Sequence, residues 1–266
     1  MINNTKTIIQ LASEGKRLDN RGLLDYRQPI KIETSISKSA EGSAKVTIGD
    51  TVVLAGVKMS LEKPYSDSPN EGGIMVNAEL IPLSSSEYEP GPPGIKAVEL
   101  ARVTDRGIRE SHAIDFKKLC IEKGEKAWFV IIDIVPLNDA GNLFDAAGLA
   151  ALAALKETRL RPIDEKTGAV DYKGTTDTPL PLLKETLSVT VGKVGNHLMV
   201  DPTVEEESSF SARLTVATDK TGTISALQKG GDEPMTIEEV GQIVDIALDK
   251  AKFLRSIMDE CFKNKK

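Results

Sequence analysis

The hydrophobic pattern changes period once within a single stretch, Trp128 to Thr158, which reads WFVIIDIVPLNDAGNLFDAAGLAALAALKET. Trp128 to Val135 is a β-branched run with Asp133 inside it, and it predicts a central strand buried on both faces. Asn138-Asp139-Ala140-Gly141 then turns the chain, because Gly and Asn accept a positive φ that strains other residues. Leu143 to Leu155 is apolar on nearly every side and predicts a core helix, with Asn142 as its N-cap and Asp145 as a lone charge.

Elsewhere the chain alternates. Asn4 to Ser13 is a short helical pattern stopped at Gly15, and Lys16 to Gly22 is a charged turn. Pro29 to Ser37 alternates apolar and polar residues, and Ala44 to Ile48 with Thr51 to Met59 flank Gly49-Asp50 as a hairpin. A strand from Ile74 to Leu80 lies between two loops, Leu61 to Gly73 and Pro82 to Gly94. Ile95 to Ser111 reads as a helix with Ala97, Leu100, Ala101, Thr104 and Ile108 on one side and Arg102, Arg106 and Arg109 on the other. Beyond the loop from Arg161 to Pro181, with Gly168, Gly174 and Thr175-Thr176, come two hairpins, Leu187 to Val191 with His197 to Val200 and Ser211 to Thr218 with Thr223 to Gln228. Thr236 to Glu239 is a capping box that opens an amphipathic helix with Ile237, Val240, Val244, Leu248, Ala251, Leu254, Met258 and Phe262 on its apolar side.

Hairpin strands, further strands and a long helix occur twice in this order, and Gly42 to Gly49 echoes Leu187 to Gly192, as a duplication or as chance. The expected class is α+β: two pseudo-repeated lobes of mixed sheet packed with helices, approximately 1–160 and 180–266, joined by a loop region within one domain.

Composition narrows the function. The 266 residues are 40% hydrophobic and 28% charged, enough for a sizeable core. A net charge of -6 and a pI near 5.2 exclude nucleic-acid binding over the whole surface, so a polyanion site must be a local patch. No stretch approaches the roughly 18 unbroken apolar residues of a membrane span, and MINNTKTIIQ is no signal peptide, so a cytoplasmic protein without membrane contact is expected. Cys120, Cys261, His112 and His197 are too few and scattered for a zinc site, and no other metal or cofactor is implied.

The turn at Asp139 to Asn142, followed by a helix N-terminus, is a plausible anion cradle. It lacks the chemistry, because no Ser, Thr, Lys or Arg lies between Asn138 and Ala146, and Asp139 and Asp145 would repel phosphate. Arg102, Arg106 and Arg109 project within an arc of roughly 60°, a spacing suited to successive phosphates of one strand. The competing reading is a solvated face with Asp105–Arg109 and Arg106–Glu110 as helical ion pairs. Asp133 is a candidate buried acid, whereas Glu205-Glu206-Glu207 is expected to be a solvated loop run. Ser84 to Ser86 and Ser208-Ser209 have no nearby basic activator. Tyr65, Tyr88 and Trp128 are scattered, which argues against an aromatic platform for bases.

Several stretches together resemble the RNase PH family, whose members degrade RNA from the 3′ end with phosphate as the attacking group. They are Arg17-Leu-Asp-Asn-Arg21-Gly, Arg27-Gln-Pro-Ile-Lys-Ile-Glu, Gly42 to Val57, Glu99 to Arg109, Asp139 to Ala147 and Asp201-Pro-Thr-Val-Glu-Glu-Glu, in one order over nearly the whole chain. The resemblance implies that active members carry Ser-Arg where this chain has Asn142 and Leu143. It also implies an acid in the strand after the Asp-Pro run; that position falls at or beside Ser209, and no acid lies between Ser208 and Ala217.

Both halves of a phosphorolytic site are therefore expected to be missing. The pattern is similar to the branch of noncatalytic RNase PH-like subunits of the archaeal exosome, which alternate with a catalytic RNase PH-like subunit in a hetero-hexameric ring. That likeness implies RNA-binding cap proteins as further partners and single-stranded RNA as ligand, contacted by Arg106 and Arg109, with Arg102 a weaker candidate. Two other readings remain: a self-sufficient phosphorolytic exoribonuclease using Asp133, Asp139 and Asp145, and a purely architectural subunit.

Overall fold

The computed structural model describes residues 5–164, 167–174 and 176–263, so Asn4 and Thr175 lie outside the described residues. The elements are α1 (Thr5–Ser13), β1 (Ile30–Thr34), β2 (Gly42–Ile48), β3 (Thr51–Glu62), β4 (Gly73–Ala78), α2 (Ile95–Glu110), β5 (Cys120–Glu122), β6 (Lys126–Asn138), α3 (Leu143–Glu157), β7 (Leu187–Val194), β8 (His197–Val200), the single turn α4 (Val204–Glu207), β9 (Ala212–Thr218), β10 (Ile224–Gly231) and α5 (Ile237–Lys263).

The strands form two sheets. The first runs β1-β2-β3-β6-β4, antiparallel except for the parallel β4–β6 pair, with short β5 added to β6; the second, β10-β9-β7-β8, is antiparallel throughout. Between them lies α3, packed on β2 and β3 on one side and β7 on the other. Ala146, Ala147, Ala150, Ala151, Ala153 and Ala154 are all fully buried, and their small side chains let both sheets approach one helix. Beside α3, α2 covers β4 and reaches β10, while α5 packs on β7 and β9 and touches β1. The N-terminal helix α1 docks Ile8 and Ala12 on Val194 and Met199 of the second sheet.

The three hairpins, both long helices and the core helix lie where the hydrophobic pattern predicts them. Three expectations need correction. Strand β6 is buried from Ala127 to Val130 and then alternates, so Asp133 is exposed and accepts from Asn77 Nδ2 at 3.1 Å. Helices cover one face of this sheet, and the other face of its later half remains wet. Helix α5 leaves Ile237 87% exposed and buries Ile243, Ala247, Ala251, Leu254 and Met258. In its first turns only Val240 reaches the core, and only partly, so full burial of the apolar stripe begins at Ile243. Finally, β1 ends at Thr34 rather than continuing to Ser37, because Ser35 takes a φ of 59° that leaves the extended region.

Candidate nucleic-acid interface

The turn between β6 and α3 is built from a short-range device. Asp139 Oδ1 accepts from the Gly141 N–H at 3.0 Å, and Gly141 takes a φ of 97°. A Cβ on Gly141 would stand 2.4 Å from the Pro202 carbonyl oxygen, so both conformation and space require glycine. Asn142 follows with a φ of 60° and does not cap the helix with its side chain, contrary to expectation. Its amide Nδ2 instead donates to Asp201 Oδ1 at 2.8 Å.

Asp201 braces the turn from behind. It is fully buried, and Oδ1 also accepts from Arg27 Nη2 at 2.8 Å. Oδ2 accepts from Arg21 Nη1 at 3.0 Å and from Arg27 through its backbone N–H at 2.6 Å and Nε at 3.0 Å. The remaining Arg27 donors hold the carbonyls of Ala140 and Gly141. The Asp201 carboxylate thus ties the Arg27 segment and Asn142 together through charge-assisted hydrogen bonds.

The acidic run at 205–207 is not a solvated loop. It forms α4, capped by Thr203, and Glu206 is fully buried in a bidentate pair with buried Arg17. Arg17 also donates to the carbonyls of Val200 at 2.8 Å and Asp201 at 2.7 Å. Buried charge survives here because nearly every donor has an acceptor. Glu207 accepts from the Asn142 backbone N–H at 3.2 Å, and burial together with neighbouring Asp139 raises its pKa.

A cleft of about 400 Å³ opens where α2, α3 and α4 meet, lined by Glu87, Lys96, Glu99, Asp139, Leu143, Glu207 and Arg213 among others. Four acids thus face two bases, and both bases are engaged: Lys96 with Glu87 at 3.4 Å, and Arg213 with Glu99 at 2.6 Å while its guanidinium lies 4.9 Å over the Phe144 ring. Tyr88 donates to Asp139 Oδ2 and closes the proline-rich loop over the cleft. Leu143 presents hydrocarbon to this space, and phosphate would meet net negative charge. Ser209 is 7% exposed and turns away, donating to the Glu205 carbonyl at 3.1 Å and to Thr5 Oγ1 at 3.3 Å.

The arginine face of α2 forms as the helical spacing predicts, but its side chains diverge. Gly107 and Ile108 are buried, with Gly107 close to Ser188 on β7, so α2 sits across the seam of the two sheets. Arg106 Nη1 donates to Gln228 on β10 at 2.9 Å rather than pairing with Glu110. Arg109 reaches the first sheet, where Nη2 donates to the Ile74 carbonyl at 3.0 Å. The expected Asp105 pair is present at 2.8 and 3.0 Å, and this hydrogen bonding raises the Arg109 pKa. Arg102 is exposed and has no hydrogen bond or ion pair among the described residues.

Two sheets around a shared alanine-rich helix, with this turn at the helix N-terminus, define a family. The model of the 3′ exoribonuclease family matches residues 27–161 with its domain 1 and residues 186–250 with its domain 2, and the chain belongs to this RNase PH family. Among its relatives is the exosome complex component Rrp42 of Pyrococcus horikoshii, 48% identical over 258 residues that cover 96% of this chain and 93% of the relative. That of Methanosarcina acetivorans is 46% identical, covering 94% and 91%. A chain from the Archaeoglobus fulgidus exosome with RNA bound to the active site superposes with a TM-score of 0.87 at 42% identity, covering 95% of this chain and 96% of that one.

Asp133, Asp139 and Asp145 do not converge on one site. Asp133 is exposed on β6, Asp139 faces the cleft, and Asp145 is fully buried under Tyr26 and Thr190. What sequence reasoning missed is the cluster of Arg17, Arg21, Arg27, Asp201 and Glu206. Its members stand within stretches that carry the family resemblance, but the partners are 174 to 189 residues apart, beyond any local pattern.

Proposed function

We propose that this chain is a noncatalytic subunit of an archaeal exosome, a 3′-to-5′ RNA-degrading complex of the cytoplasm. It supports a catalytic RNase PH-like subunit in an alternating hetero-hexameric ring that also carries RNA-binding cap proteins, and its two lobes act as one rigid wall. Arg106 and Arg109, with Arg102 a weaker contributor, hold phosphates of single-stranded RNA and set its register without reading bases. One observation supports the noncatalytic part: where active members of the family carry Ser-Arg, this chain has Asn142 and Leu143, beside a cleft lined by four acids.

The test is co-purification with the catalytic subunit, followed by RNA decay with and without phosphate. The purified chain alone is expected to leave RNA intact, and phosphate-dependent shortening by it would establish the self-sufficient enzyme instead. In the assembled ring, Arg106→Glu with Arg109→Glu is expected to weaken RNA binding at least tenfold at moderate salt and to flatten the salt dependence by a slope of about 1.4, since each phosphate contact on a single strand contributes about 0.7. Ring assembly should be unchanged. Unaltered affinity would favour the purely architectural subunit, a reading that draws on Arg109 spending two donors on Asp105 and Arg106 one on Gln228.

A further inference from the structure

A cavity of about 260 Å³ lies where the β1–β2 loop meets the end of α3, at the opposite end of that helix from the turn at Asn142. Its walls are tied together by the chain itself. The Arg159 N–H donates to the Glu41 carbonyl at 3.2 Å, and Arg161 Nε donates to Glu41 Oε1 at 2.8 Å. Ser35 Oγ donates to Glu157 Oε1 at 2.6 Å. A Cβ on Gly42 would stand 2.3 Å from the Ala154 carbonyl oxygen, so only glycine lets the start of β2 come this close to the helix. The frame is thus set before any ligand arrives, which reduces the entropy lost on binding.

Lys38, Arg159 and Arg161 line this cavity against Glu41 and Glu157. The charge of Glu41 is already engaged, because Oε1 also accepts from Lys58 Nζ at 2.8 Å and Oε2 accepts from the Met59 N–H at 2.8 Å. With Lys58 included, four cations meet two acids, a positive surplus in a chain whose net charge is -6. Several donors remain over. Lys38 is exposed and has no hydrogen bond or ion pair among the described residues, where Arg159 Nε and Nη2 and Arg161 Nη2 also find no acceptor. The hydroxyls of Ser37 and Ser43 stand in the same wall. Arg159 Nη1 donates to the carbonyls of Glu157 at 3.3 Å and Thr158 at 3.1 Å, which offsets the negative end of α3 that would otherwise repel an anion.

We propose that this cavity binds the phosphoryl group of a small anion, either inorganic phosphate or a nucleoside diphosphate. Lys38, the two guanidinium groups and the serine hydroxyls come from separate segments, which suits the several oxygens of a tetrahedral phosphoryl group; a planar carboxylate would use one guanidinium edge. No aromatic ring lines the cavity, and its volume is below the roughly 300 Å³ at which pockets for whole small molecules begin, so a base and ribose would stay in solvent. The site is separate from the arginine face of α2 and from the turn at Asn142, and binding here is independent of the RNA contact proposed above. The bland alternative has Arg159 capping α3 and Arg161 bracing Glu41, and it leaves Lys38 without a task.

The experiment titrates the purified full chain with inorganic phosphate, ADP and adenosine by calorimetry. Phosphate and ADP are expected to bind, and adenosine is not. Lys38→Ala is expected to weaken both anions on the order of tenfold, the loss of one charge-assisted hydrogen bond, with the melting temperature of the parent, since Lys38 holds nothing in the fold. Arg159→Ala should weaken them likewise, and Arg159→Lys, which keeps the charge without the fork, should recover part of the loss. Equal affinities for phosphate and ADP would identify a single phosphoryl group as the ligand, and tighter ADP a diphosphate; either upholds the site. Parent affinity in Lys38→Ala, with loss in Arg106→Glu and Arg109→Glu, would move the anion to α2 and overturn the proposal. Adenosine bound as tightly as ADP, or no saturable binding of either anion, would overturn it too.

Discussion

Asp201→Ala is expected to lower the stability of the folded chain by about 3–5 kcal/mol, the usual cost of removing one partner from a buried charge pair. Asp201 is fully buried and accepts from Arg21, from Arg27 three times and from Asn142. Alanine would leave the Arg27 guanidinium, 9% exposed for the residue as a whole, without its main counter-ion, and would strand the Asn142 amide. A backbone term acts in the same direction, because Asp201 holds a φ of 48°, a region that aspartate and asparagine tolerate better than alanine. Asp201→Asn keeps the shape and the backbone tolerance while losing the charge, and should cost less than alanine. Urea unfolding of the two variants beside exposed Asp133→Ala, expected within about 0.5 kcal/mol of the parent, checks the order. Equal stability of Asp201→Ala and Asp133→Ala would show that the turn holds without its internal anion.

The second large effect is a pH dependence centred on Asp145. Burial is the main cause that raises its carboxyl from the ordinary 3.8 to about 7; the Tyr26 hydroxyl and the Thr190 N–H act in the opposite direction, and nearby Asp201 adds to the rise. A carboxyl raised on folding is stabilised in its protonated form. Its contribution is therefore fully present below about pH 3.8 and is lost as pH rises through about 7. Between these limits the folded chain binds more protons here than the unfolded chain, so stability falls as pH rises. Asparagine at this position can accept from Thr190 and donate to the Tyr26 oxygen without titrating. The stability difference between the parent and Asp145→Asn should therefore shift by about 2–3 kcal/mol between pH 5 and pH 8, moving against the parent at the higher pH. Glu41 and Glu185 have lowered pKa values, and their contributions are lost on acidification below their ordinary 4.5, outside this window. Glu207 is raised as Asp145 is, and taking the difference between the two chains cancels it. A pH-independent difference would mean that Asp145 stays charged in the folded chain.

Wherever neighbours in the chain are neighbours in space, the amino-acid order is enough. The two-residue turn at Gly49-Asp50 joins β2 to β3 because Ile48 and Thr51 pair directly across it. Helix α2 turns Ala97, Leu100, Thr104 and Ile108 inward and its arginines outward because side chains recur every 3.6 residues. The all-round apolar character of α3 required a partner on each side, and the two sheets supply them. The loss of phosphate chemistry was also legible, since Asn142 and Leu143 offer neither a hydroxyl nor a cation.

What a residue faces at long range was not legible, and there the tertiary structure decided. The run at 205–207 reads as solvated until Arg17, 189 residues before Glu206, makes burial of a carboxylate tolerable. Asp133 reads as buried until the sheet leaves one face wet, and Tyr65 reads as a stray aromatic until it packs edge to face on Phe129. Periodicity along the chain determines which side of an element is apolar, while packing determines whether a charge or a ring on that side finds water, a counter-ion or another ring. The sequence by itself therefore determined the elements of this protein and the emptied phosphate turn. The tertiary structure decided how Asp201 and its arginines brace that turn and how the arginine face is divided between the two sheets.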